Sequence, residues 1–79
     1  MKETIIEFIR DELLDDDIEI NENTSLFKSK VLDSMSLVGL IAFLEESYHI
    51  RVKPMEIVFD NLDTVSGILG YIERKRSGA

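Results

Sequence analysis

Seventy-nine residues suffice for one small domain and leave no room for a second. Hydrophobic residues make up 44% of the chain, enough for a folded core, while 16 acids against 9 bases give a net charge of -7. That balance argues against nucleic-acid binding and against attraction to an anionic membrane, and the absence of cysteine excludes disulfide scaffolds, thiolate zinc sites and cysteine nucleophiles.

The opening Met1-Lys2-Glu3-Thr4, with Glu7 close behind, does not read as a signal peptide. The longest apolar run, Leu37 to Leu44, is far shorter than the roughly 20 residues that cross a bilayer. A soluble, cytoplasmic protein is expected, monomeric and without membrane insertion. From Thr4 to Leu14, apolar Ile5, Ile6, Phe8, Ile9, Leu13 and Leu14 recur at steps of three and four, which predicts an amphipathic helix. Asp15-Asp16-Asp17 should end it, because anions oppose the dipole at a helix C-terminus. The segment to Asp33 has no period, and Ile18, Ile20, Leu26, Phe27, Val31 and Leu32 are expected to pin it to the core.

Ser34 to Tyr48 is the clearest helix, with Asp33 or Ser34 as its N-cap. Ile50-Arg51-Val52 reads as extended. Pro54 can open a first turn, so Met55 to Asp60 is expected to be one short helix, broken at Asn61 to Asp63. Thr64 should cap a last helix with Val65, Ile68, Leu69 and Ile72 inward, and Arg74-Lys75-Arg76 as a solvated C-terminal end. Gly67 and Gly70 weaken that helix or admit a close neighbour. The expected architecture is all-α: a small four-helix bundle of three long helices and a short third one, a single domain over residues 1–79.

On a wheel of about 100° per residue, Leu37, Leu40, Ile41, Leu44 and Tyr48 share one arc, which should face the core. Met35, Val38 and Ala42 fall opposite, beside Glu45 and Glu46. An exposed apolar patch rimmed by acids suits docking to a partner that presents bases around a hollow. Scattered surface apolar residues, or packing under the long loop, would produce the same pattern without a partner.

Ser34 stands where the loop meets this helix. Read from position alone, its hydroxyl either caps the helix or carries a phosphate-linked group, since helix N-termini favour phosphate. Val31-Leu32-Asp33-Ser34-Met35-Ser36-Leu37-Val38, followed by Leu40, Leu44, Glu45 and Glu46, resembles the acyl carrier protein family, which includes peptidyl and D-alanyl carriers. Ile50-Arg51-Val52 and Phe59-Asp60-Asn61-Leu62-Asp63-Thr64-Val65 look like that family's approaches to its third and fourth helices. The resemblance spans essentially the whole chain. It implies 4'-phosphopantetheine, drawn from coenzyme A, on Ser34, with Asp33 the acid before it. It also implies a carrier of acyl or aminoacyl thioesters rather than an enzyme. Expected partners are a phosphopantetheinyl transferase and the ligases, synthases or transferases that load and unload the arm. Met35, Val38, Glu45 and Glu46 would dock them, with Glu56 further along, and Phe27, Ile41, Val58 and Ile68 would shelter cargo.

Several departures from the family pattern point to a specialised lipid, polyketide or amino-acid pathway. Val31 stands where glycine is common, Met35 where leucine is, and Ser36 and Gly39 where fatty-acid carriers tend to have acids. A non-covalent acidic helical interaction module, with Ser34 only a cap, is the alternative. Asp15, Asp17 and Glu19 do not fit a calcium loop, because the sixth and twelfth positions counted from Asp15 are Ile20 and Leu26. No metal is expected, and the lone His49 suits a helix cap or the surface.

Overall fold

The structure is a computed structural model that describes residues 2–14 and 19–77. Four α-helices are present, and no strand occurs among the described residues: α1 (Lys2–Phe8), α2 (Ser34–Tyr48), α3 (Phe59–Leu62) and α4 (Val65–Arg76). Ile5, Ile9, Ile20, Leu26, Leu40, Leu44, Leu62, Ile68, Tyr71 and Ile72 belong to one buried cluster. Each such side chain, fully buried, contributes roughly 1.5–3 kcal/mol.

The first helix differs from expectation. It starts at Lys2, and after Phe8 it widens into a π-helical turn, Ile9–Leu13, where Leu14 N–H donates to the Ile9 carbonyl at 3.0 Å. Successive steps of four residues from Ile5 to Ile9 to Leu13 drift about 40° each on a regular helix. The wider turn takes up that drift and sets Leu13 against α2 at Gly39, where an added Cβ would stand 3.3 Å from Leu13 Cδ2. Phe8 stacks on Phe43 of α2 with centroids 4.0 Å apart. Asp15–Asp17, the expected stop, and Ile18 lie outside the described residues. Of the other loop anchors, Ile20, Leu26 and Leu32 are buried, and Phe27 and Val31 pack half-buried against the core.

The third helix is also divided. Pro54–Glu56 forms a 3-10 turn, Ile57 leaves helical dihedrals at φ -83 and ψ 79, and α3 restarts at Phe59. The expected single helix from Met55 to Asp60, with a break at Asn61, is therefore wrong: Asn61 lies inside α3. Two donors occupy the Glu56 carbonyl that a continuous helix would need, the Asn61 amide at 2.8 Å and the Val58 N–H at 3.0 Å. Glu56 is held from the other side, since its carboxylate accepts from Lys53 N–H (3.0 Å), Tyr71 Oη (3.0 Å) and Lys75 Nζ (3.0 Å). Lys75 is thus largely covered and ties α4 to the third-helix region, which corrects the expected solvated end at that residue; Arg74, which donates to Asn61 Oδ1 at 2.8 Å, and Arg76 are exposed as expected.

Thr64 caps α4 as expected, accepting from Gly67 N–H at 2.9 Å. A Cβ at Gly67 would come within 3.1 Å of the Asp60 carbonyl, so glycine lets α3 and α4 approach closely. Just before the cap, buried Asp63 accepts from Ser25 Oγ (2.7 Å), Phe27 N–H (2.7 Å) and Lys28 N–H (2.9 Å). Its own carbonyl takes Leu26 N–H at 2.7 Å, and the Leu26 carbonyl takes Leu32 N–H at 2.8 Å. One acidic residue thereby folds the loop back on itself immediately before α2.

Asp63→Ala should lower stability by roughly 3 kcal/mol in urea unfolding, because it strands those donors. A loss under about 1 kcal/mol would contradict this account of the loop. Glu56 has its pKa lowered from 4.5 to about 2, chiefly by the Lys53 N–H and then by Lys75. A carboxyl depressed on folding stabilises above its unfolded pKa, and that contribution disappears as pH falls through the folded value. The stability gap between wild type and Glu56→Gln should therefore be full at neutral pH and close between about pH 4.5 and 2; a gap that stays constant across this range would argue against the network.

Candidate functional site

Asp33 and Ser34 fall at the junction that Asp63 braces. Asp33 is in extended backbone, and its Oδ1 accepts Ser36 N–H at 2.9 Å, while its carbonyl accepts Leu37 N–H, the first bond of α2. The Ser36 amide is the main cause that holds the Asp33 carboxyl below its ordinary range. The N-cap is thus Asp33 and not Ser34. Ser34 occupies the first helical position, exposed, and its hydroxyl makes no hydrogen bond to the described residues. The two sequence-level roles for Ser34 separate here, because capping is done by its neighbour.

Beside Ser34 opens a groove of about 640 Å³ between the loop, the start of α2 and the third-helix region. Phe27, Leu32, Leu37, Val58, Phe59 and Leu62 give it apolar walls, and Lys30, Asp33 and Ser34 line it with polar groups. Of the residues expected to shelter cargo, Phe27 and Val58 line it. Ile41 and Ile68 do not: Ile68 is fully buried in the core cluster, and Ile41 lies two helical turns beyond the mouth. The wall residues Leu37, Phe59 and Leu62, and Lys30, carry no local sequence signal of this role, because the groove exists only once α3 restarts at Phe59.

The outward face of α2 is as the wheel placed it, with Met35 80% and Val38 65% exposed. Glu46 is exposed on the same helix, whereas Glu45 is half-buried and accepts Val52 N–H at 2.9 Å. Glu56 spends its carboxylate on internal partners. His49 closes α2 in left-handed backbone at φ 55, the C-cap geometry. Among the described residues no group of acids and histidine is arranged to hold a metal, and no helix is long and apolar enough to cross a membrane.

A protein-family model described as "Phosphopantetheine attachment site" matches residues 3–72. D-alanyl carrier proteins of Streptococcus pyogenes serotypes M5 (strain Manfredo), M49 (strain NZ131) and M1 are each 36% identical to the chain over 73 residues, which is 92% of the chain and 91% of each relative. The residues present fit the group that this family name specifies. A free, exposed hydroxyl at the head of a helix stands at the mouth of an open apolar groove, and a chain without cysteine lacks any thiol of its own. The chain belongs to the phosphopantetheine-binding carrier protein family, and its prosthetic group is 4'-phosphopantetheine.

Proposed function

We propose that Ser34 is the attachment point, and that the chain carries aminoacyl or small acyl groups, with D-alanyl the first candidate on the similarity to D-alanyl carriers. The observation that carries this reading is the division of labour at the head of α2: Asp33 caps, so the Ser34 hydroxyl is free to be esterified. In attachment, Ser34 Oγ forms a bond to the pantetheine phosphorus of coenzyme A, the pyrophosphate P–O bond breaks, and the adenosine bisphosphate half departs. The hydroxyl proton passes to a base of the transferase. The bound arm supplies a terminal thiol that holds cargo as a thioester. The protein's own contribution is placement: a loop anchored by Asp63, a capped helix and a groove under the root of the arm.

Partner enzymes are a phosphopantetheinyl transferase and a ligase or transferase for the cargo. We place their contact on Met35 and Val38, with Glu46 and the half-buried Glu45 at the far end of the face. Glu56, expected to join them, instead commits its carboxylate to the internal network. From Ser34 to Leu44 no side chain is charged, so contact near the serine is apolar and the acids act farther along the helix.

Intact mass after incubation with coenzyme A and a broad-specificity transferase should rise by one phosphopantetheine in wild type and in Asp33→Ala, and not in Ser34→Ala. Ser34→Ala should change stability by less than about 0.5 kcal/mol, whereas Asp33→Ala costs about 1 kcal/mol as a lost cap. Equal mass gain by Ser34→Ala would sink the assignment. Met35→Ala with Val38→Ala should raise KM for loading by the cargo ligase roughly tenfold, the effect of about 1.4 kcal/mol of lost contact. Glu46→Lys should slow loading at low salt only. Unchanged KM in the double variant would remove this face from docking.

A further inference from the structure

We propose that Lys30 is the counter-ion of the phosphodiester at Ser34 and fixes the root of the prosthetic arm over the groove. This rests on the proposed modification of Ser34 and adds a second residue to that site. Lys30 and Ser34 line the same groove. The Lys30 backbone is left-handed at φ 64, in a turn closed by its N–H to the Phe27 carbonyl at 3.1 Å. Glycine meets that conformation without strain and lysine does not. A strained residue that lines the same groove as Ser34 points to a use for its side chain.

The two cations of the loop are also unlike. Lys28 sits 5.5 Å over the Phe59 ring and close to the Asp63 charge. The Lys30 ammonium has no ion pair or hydrogen bond among the described residues. A phosphodiester on Ser34 adds a full negative charge next to the Asp33 carboxylate. Those anions repel, and Lys30 is the cation that shares their groove. Because the phosphorus is bonded to Ser34 Oγ, a short side chain tethers it near the backbone while the rest of the arm ranges farther. A flexible four-carbon stem ending in three rotatable donors suits one non-bridging phosphate oxygen.

The test uses holo-protein whose modification is first verified by intact mass. The 31P resonance of the phosphodiester is then compared among wild type, Lys30→Gln, Lys30→Gly and the control Lys28→Gln. Both Lys30 variants should move the resonance by more than its linewidth and sharpen it, while Lys28→Gln leaves it in place. Lys30→Gly should melt no lower than wild type, because glycine relieves the left-handed turn, so a changed signal there is not a folding defect. Overlaid 31P spectra for wild type and both Lys30 variants, with the mass gain intact, overturn the role of Lys30 alone. Absence of the mass gain in wild type overturns the modification of Ser34 and this proposal with it.

Discussion

The carboxylate of Asp63 is the constraint on which the site depends. A buried acid is tolerated only when its lone pairs are occupied. Here a hydroxyl and two backbone amides, all from Ser25 to Lys28, occupy them. Burial alone would raise its pKa, yet these donors outweigh that and hold it below the ordinary range. From Asp63 the order passes through Leu26 to Leu32, and two residues later, past the Asp33 cap, α2 begins. A connection of this length would otherwise leave the head of the helix free to wander. Anchored this way, it delivers Ser34 to one place beside the groove.

The same economy separates roles among neighbours. Asp33 terminates the loop and starts the helix, which leaves the exposed Ser34 hydroxyl outside the cap. Glu56, Tyr71 and Lys75 lock the 3-10 turn to α4, and burial together with the Glu56 hydrogen bond pushes the Tyr71 hydroxyl up to about 12. That lock decides where α3 restarts, and so where Val58 and Phe59 stand as walls of the groove. The surface that remains, exposed Met35 and Val38 on an uncharged stretch of helix, is the one proposed for docking, where contact would rest on desolvation first and charge second.

Much of this was legible in the residues. The period of α2, the Thr64 cap, the inward and outward arcs, and the family resemblance centred on Asp33-Ser34 all follow from local patterns that the fold leaves intact. The divided third helix was not legible, because its break depends on the Asn61 side chain reaching a carbonyl five residues back. Lys75 looked like a solvated cation for the same reason: its partner lies 19 residues away in sequence. Asp63 left one faint signal, an acid between Leu62 and the apolar start of α4, where solvent is scarce. Lys30 left none, since the left-handed turn is set by loop closure and not by its own preference.

The wide turn of the first helix also bears on how this chain tolerates changes in length. Such a turn holds one residue more than an α-turn, so deleting a residue between Ile9 and Leu13 lets the helix become regular. Regularity would come with a rotation that swings Leu13 off Gly39, the close approach of that helix to α2. A single peptide unit near the N-terminus therefore gauges the spacing between the two helices, and a deletion there acts on the posture of the serine-bearing helix without touching the serine.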